Sequence, residues 1–305
     1  MQKNPVIAVL LSTYNGEKYL RQQLDSLLLQ CGVDVHIYVR DDGSTDSTCS
    51  ILSEYERDNH HLFFFRGENV GYVDSFFDIL KKAEAYDYYA FCDQDDVWGG
   101  EKLLAAHNML RSSDDCPAMY FSRTEYVDEA LGFLALSPEL DISRIGYENA
   151  LVQNVATGCT IVFNRRARDL LADNLPAFCL VHDWWVYLVV SAFGMVFYDE
   201  KTYIKYRQHS GNAIGAADTL LKVYAKRITR FLSFREGRRV SRQLSEFKRL
   251  FYGRLSLERR KQLDVLCADQ RLLVNRLRLI ILGKYVRASR LEGFFLRLII
   301  LLGRF

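Results

Sequence analysis

Four short apolar runs lie in the first 92 residues, at 6–12, 35–39, 62–65 and 88–92, and segments with helical spacing separate them. Tyr19, Leu20, Leu24, Leu27 and Leu28 share one helical face. Ile51, Leu52 and Tyr55 share another, with Ser44 or Thr45 placed to cap that helix. A third helix is expected over 73–85. Strands alternating with helices of this length imply a parallel sheet with right-handed crossovers. Such sheets bind ligands beyond the carboxyl ends of their strands. Polar clusters stand at three of those ends, at 12–15, 41–44 and 93–96. Asn-Gly and Asp-Gly are also ordinary turn formers, which is the alternative for each cluster by itself.

The quartet Asp93-Gln94-Asp95-Asp96 follows directly on the apolar run Tyr88-Tyr89-Ala90-Phe91-Cys92. Three carboxylates in four residues repel one another, and a hard cation among their oxygens relieves that repulsion. The alternative is a solvated acidic turn before a helix, with Asp96 helping to cap it. Further on, a helix is expected over 101–113 and strands at 118–122 and 161–163. An apolar helix opens at Leu180-Val181-His182-Asp183-Trp184-Trp185. Two strands, 195–198 and 203–206, precede Arg207-Gln208-His209.

Apolar content of 49% and charged content of 26% are those of a folded protein with a sizeable core. The seven cysteines are odd in number and lack CxxC spacing, which favours reduced thiols and a cytoplasmic protein over disulfides or zinc. The first residues are polar and run straight into a strand, so no signal peptide is expected. The net charge of +2 conceals a division: residues 217–305 hold 22 Lys+Arg and 7 Asp+Glu, and the remainder holds 18 and 31. The expected organisation is therefore an acidic α/β domain over 1–216 and a basic helical region over 217–305. The last apolar stretch, 294–302, is too short to span a bilayer, which needs about 20 residues. Leu220, Val223, Tyr224 and Ile228 share one basic helical face, and Leu272, Leu273, Leu277, Ile280 and Ile281 share a second. Amphipathic helices with cationic flanks bind anionic membranes in plane. Packing on the α/β domain, or dimerisation, is the alternative. No nucleic-acid motif accompanies the basic charge.

The pieces Ser12-Thr13-Tyr14-Asn15-Gly16-Glu17, Asp41-Asp42-Gly43-Ser44-Thr45-Asp46, Asn69-Val70-Gly71, Asp93-Gln94-Asp95-Asp96-Val97-Trp98, His182-Asp183-Trp184 and Tyr206-Arg207-Gln208-His209 resemble, in order, the motifs of family 2 glycosyltransferases. These are α/β enzymes of the GT-A fold that use nucleotide-diphosphate sugars. The resemblance covers roughly residues 6 to 212. Its finer form is similar to bacterial rhamnosyltransferases of cell-surface polysaccharide synthesis, which implies a dTDP-L-rhamnose donor and a glycan or lipid-linked acceptor. It makes 1–216 a catalytic domain and divides it into a nucleotide-sugar half, 1–122, and an acceptor side, 123–216.

By this resemblance Ser12, Tyr14 and Asp42 hold the nucleoside, Asp42 accepting from the pyrimidine N3–H that thymine and uracil share. Glu17, Asn69, Asp93 and Gln94 make further donor contacts, though Asn69 with Gly71 also fits a plain turn. Asp95 is the expected ligand of Mg²⁺ or Mn²⁺, and His209 completes the metal shell unless it is a simple loop histidine. Asp183 is the expected catalytic base, with helix capping as its alternative. The family usually has Glu before that Asp; here His182 stands there and makes the neighbouring charge pH-dependent. Trp184 and Trp185 are expected on the acceptor side, able to stack on a sugar or to pack in the core. The implied mechanism is a single displacement with inversion. A UDP-sugar donor is an alternative, and so is a non-catalytic nucleotide- or glycan-binding module. A nucleotidyltransferase would want a Gly-rich phosphate loop after the first strand, which residues 12–17 lack.

Overall fold

The computed structural model describes residues 4–209 and 234–303. It divides into two compact units. The first takes the chain up to Glu139, then Ala156–Asp173 and the segment from Gly194. The second takes Leu140–Val155, Asn174–Phe193 and the C-terminal helices. The boundary expected after residue 216 lies outside the described residues, as does the helical face at 220–228.

In the first unit, β1 (Val6–Thr13), β2 (Asp34–Asp41), β3 (Leu62–Arg66) and β4 (Tyr88–Cys92) pair in parallel in the order β3-β2-β1-β4. Ile7, Val9 and Leu11 pack into a cluster with Leu20, Leu24 and Leu27 of α1 (Leu20–Leu28) and Leu52 of α2 (Thr48–Asp58). The alternate residues Ala8 and Leu10 point to the other face, where α3 (Tyr72–Lys82) lies against β1. A strand covered on both faces needs apolar residues at every position, hence the unbroken run at 6–12.

The sheet continues from β4 through antiparallel partners. Beyond β5 (Val97–Trp98), α4 (Lys102–Leu110), β6 (Ala118–Val127) and β7 (Phe133–Leu136) come β8 (Val162–Asn164) and β9 (Met195–Arg207). β8 pairs β4 and β6, β9 runs parallel to β6, and β5 closes the order against β9.

One expectation changes, and one alternative falls away. Residues 195–206 form one strand and not two: the register jumps from Asp199 to Thr202, and the Asp199 carboxylate accepts the Lys201 N–H at 2.9 Å. The polar tetrad 199–202, which reads as a turn, is a bulge inside a continuous strand. Asp96, in turn, caps no helix. It leads directly into β5, whose Val97 and Trp98 pair Lys205 and Ile204, and Glu101 occupies the N-cap position of α4.

The second unit is helical. Besides α5 (Tyr147–Ala150) it contains α7 (His182–Phe193); α6 (Arg165–Ala172) belongs to the sheet unit. Ten of the twelve α7 residues are buried, and that apolar helix explains why 174–193 groups with the helices that follow. Trp185 packs on Phe247 and Phe251 of α8 (Phe234–Phe251), with ring centroids 6.1 and 6.2 Å apart. Then follow α9 (Leu257–Leu266), α10 (Leu273–Leu282) and α11 (Arg290–Leu301). Among the described residues no helix is long and apolar enough to cross a membrane. All seven cysteines are free thiols.

Candidate active site

The polar clusters at the ends of β1, β2 and β4 interlock through side-chain to backbone hydrogen bonds. After β1, the Gln94 amide brackets Tyr14: its Oε1 accepts the Tyr14 N–H at 2.8 Å and its Nε2 donates to the Tyr14 carbonyl at 3.1 Å. Gly16 lies beneath it, and a Cβ there would come within 2.4 Å of Gln94 Oε1, so the amide would have to shift. Asn15, at φ 48°, donates its N–H to Ser44 Oγ and accepts from the Thr45 N–H. Glu17 accepts the Ser47 N–H at 2.9 Å. Ser12 Oγ lies 2.6 Å from Ser75 Oγ at the start of α3. Thus Glu17 and Gln94, expected on the donor, already hold neighbouring backbone. The Tyr14 side chain is exposed.

The two aspartates after β2 differ in role. Asp41 is fully buried and closes its own turn, accepting the Ser44 N–H and hydroxyl. Asp42 ties down the loop after β3: Oδ1 accepts the Val70 N–H at 2.9 Å together with the Arg40 guanidinium, and Oδ2 accepts the Gly71 N–H at 2.9 Å. Asp42 is buried as well, and its Oδ2 accepts one of the two hydrogen bonds that a carboxylate oxygen can take. Gly71, at φ 83°, permits the turn, and Asn69 beside it is exposed.

At the end of β4 the carboxylates separate. Asp95 Oδ2 meets His209 Nε2 at 2.8 Å, both side chains partly exposed. Asp93 is also partly exposed, whereas Asp96 is fully buried. Burial, with Asp95 and Asp93 close by, pushes the Asp96 carboxyl well above its ordinary range. Asp93, Asp96 and Cys159 offer ligand atoms within 4.8 Å of one another. A thiol and a carboxyl disfavoured as an anion suit a hard cation poorly. The Asp95 carboxylate and the His209 imidazole fit one better, with Asp93 two residues before on the same loop.

Arg207 lies in the Tyr206-Arg207-Gln208-His209 motif without a role of its own there, and Lys102 stands in none of the motifs. Arg207 is buried; its guanidinium donates to the Asp95 carbonyl at 2.8 Å, to Gln22 Oε1 at 2.6 Å and to the Glu129 carbonyl, and its backbone N–H donates to Asp96 Oδ1 at 3.0 Å. It lies over the Tyr19 ring, 4.4 Å from the centroid, and His209 lies beside that ring too. Lys102 is fully buried with Nζ 3.4 Å from the Trp98 ring centroid, and burial brings its pKa down to about 8.

In the second unit, Asp183 is the one residue of 182–192 that is not buried, and its Oδ1 accepts the Trp184 N–H at 2.7 Å. His182 is buried, and desolvation lowers its pKa to about 3. The residue before Asp183 is therefore neutral across the physiological range, contrary to the pH-dependent charge expected there. Trp184 and Trp185 are core side chains. Trp185 has no exposed surface, and the Trp184 indole N–H donates to the Ala150 carbonyl at 2.7 Å. That leaves no face of Trp185 for a sugar.

A family model described as glycosyl transferase family 2 matches residues 8–167. Among curated proteins, the dTDP-rhamnosyl transferase RfbG of Shigella flexneri is 30% identical over 226 residues, 68% of this chain and 74% of its own. An uncharacterized glycosyltransferase of Rickettsia typhi is 25% identical, over 72% of this chain and 70% of its own. Among solved structures, Staphylococcus aureus TarS 1–349 in complex with UDP-GlcNAc superposes with a TM-score of 0.57 at 19% identity, covering 90% of this chain and 85% of that one. The mannosyltransferase PcManGT of Pyrobaculum calidifontis, in complex with GDP-Man and Mn²⁺, gives 0.56 at 14%, covering 99% and 86%. These two share the fold, a mostly parallel sheet of GT-A type. With the acidic motif at the end of β4 and a family match across the sheet strands from β1 to β8, the chain belongs to glycosyltransferase family 2.

Proposed function

We propose that this glycosyltransferase moves L-rhamnose from dTDP-L-rhamnose, with inversion, to a glycan or lipid-linked glycan in bacterial cell-surface polysaccharide synthesis. The observation that carries the site is the Asp95–His209 pair, 2.8 Å apart at the rim where β4 and β9 end. The similarity to a dTDP-rhamnosyl transferase supports the donor. Asp95 and His209 would hold Mg²⁺ or Mn²⁺, with Asp93 toward the ribose or the sugar. That ion, when bound, acts as a Lewis acid on the departing diphosphate. Ser12, Tyr14 and Asn69 would face the nucleoside. Asp42 would offer its remaining Oδ2 position to the pyrimidine N3–H.

Asp183 serves as the base. It takes the proton of an acceptor hydroxyl as that oxygen forms its bond to the anomeric carbon. The bond from that carbon to the diphosphate oxygen breaks, and its electron pair leaves with the nucleotide on the opposite face. A base in this role must come within about 3 Å of the proton it removes. The basic region over 217–305 would hold the enzyme at the inner face of the membrane, where a lipid-linked acceptor is presented. A UDP-sugar donor is the second reading, since Asp42 meets uracil and thymine alike and TarS is similar in fold.

A donor screen decides. dTDP-rhamnose, UDP-glucose, UDP-GlcNAc and GDP-mannose are offered with Mn²⁺ or Mg²⁺ and with a bacterial lipid-linked glycan extract as acceptor, and nucleotide release is followed. Release from dTDP-rhamnose alone is expected; release only from a UDP-sugar would replace the donor, and release from none would leave a binding module.

A further inference from the structure

Twenty-three large apolar side chains are exposed among the described residues, and eleven of them fall between Leu272 and Leu302. The concentration is not a fraying end, because the same segment also buries Leu279, Leu296, Ile299 and Ile300. α10 and α11 pack on each other and have two apolar sides, one turned inward and one outward. On α10 the outward side is Leu273, Val274, Leu277 and Ile281, which fall within about 100° of the helix circumference at 100° per residue. Ile281 is 76% exposed. On α11 it is Leu291, Phe294, Leu298 and Leu301, within about 80° by the same spacing. Exposed Arg278 borders the first stripe, and exposed Arg290 and Arg297 border the second.

Charge selects the occupant. Residues 271–303 contain seven Lys+Arg and one Glu, a net of +6. Two copies meeting through this face would bring like charges together around an apolar centre. A nucleic acid would pair the arginines and leave leucines in water. The interface of an anionic bilayer supplies phosphates at the level of the arginines and hydrocarbon just below. We propose that the outward stripes of α10 and α11 form a face that inserts in plane into an anionic lipid surface, Leu277, Ile281, Phe294 and Leu298 entering the acyl boundary and Arg278, Arg290 and Arg297 holding phosphates. This rests on the membrane part of the function proposed above and assigns it to two helices.

Flotation of the full chain with phosphatidylcholine vesicles, with and without phosphatidylglycerol, tests it. The wild-type chain is expected to float with the anionic vesicles and to be released by salt. Leu277→Ser with Ile281→Ser, or Phe294→Ser with Leu298→Ser, should lower partitioning about tenfold or more, because apolar burial is lost. Arg278→Gln with Arg297→Gln should lower it about tenfold and flatten the salt dependence. These positions are exposed, so melting curves should not move. The proposal is overturned if the wild type stays with the sedimenting protein at low salt, or if the serine variants float like wild type. It is equally overturned if those variants dissolve a dimer seen by light scattering without vesicles, since the face would then belong to a second copy. Calorimetry with the nucleotide sugar on the same preparations reads the donor site independently, so either result can fail without the other.

Discussion

Asp95 and His209 lie 114 residues apart in the chain and 2.8 Å apart in space, and on the function proposed above this contact would supply a donor pair for a divalent ion. Asp42 serves differently, accepting from the loop after β3 through both carboxylate oxygens. Asp183 is the partly exposed carboxylate of a helix whose other residues up to 192 are buried. If it is the base, Asp183→Asn keeps the shape and loses the proton acceptor. Transfer should fall at least about 100-fold, the lower end of general-base contributions, with nucleotide-sugar affinity by calorimetry unchanged; parallel loss of both would make Asp183 structural. His182 offers a second test. Its pKa is about 3 in the folded chain against an ordinary 6.5. Between those values the unfolded chain takes up a proton that the native chain refuses. Stability should therefore decline as pH falls from about 6.5 towards 3, by about 1.4 kcal/mol per pH unit from this group. Denaturant midpoints across that range should show a shallower slope in His182→Leu; an unchanged slope would mean the ring is protonated in the fold.

At the scale of elements, the end of β9 organises the rim. Arg207 is its last residue, and it reaches the Asp95 carbonyl, Gln22 and the Glu129 carbonyl while its own N–H holds Asp96. The imidazole of His209, two residues on, is thereby set against Asp95. Arg207→Met keeps the stem and removes every side-chain donor, leaving two carbonyls and an amide oxygen unanswered. It should cost about 3 kcal/mol, given about 1.5–3 kcal/mol per hydrogen bond to a charged group and some relaxation. Urea unfolding would measure it, and a cost under about 1 kcal/mol would make Arg207 a bystander. The loop after β1 depends on a finer fit: Gly16 leaves room for the Gln94 amide that brackets Tyr14. The bulge at 199–202 lets β9 continue past a polar tetrad and reach β5.

For the whole molecule, a ligand that binds only the folded chain must raise its stability. A deoxythymidine diphosphate with Mn²⁺ at 100 times its dissociation constant should contribute about 2.7 kcal/mol. A raised melting temperature with both together, and none in Asp95→Asn, is expected; an equal rise in that variant would place the metal elsewhere. The alternation of strands and helices, and the polar clusters at strand ends, were legible from the chain alone. Those are local properties: an apolar run, a helical period and a turn former each act within a few residues. The acidic motif was legible too, and the resemblance already set Asp95 apart from Asp93; what only the fold decided is the burial of Asp96, which leaves Asp93 and Asp95 accessible. Only the fold joined 195–206 into one strand, because pairing with β6 outweighs a turn-like tetrad. Only the fold put Trp185 in a core and made Arg207 a hub. A helical period states which residues share a side and not where that side points. The period groups Leu272, Leu273, Leu277 and Ile281 on one face of the chain, and only contacts between residues far apart in sequence leave that face exposed.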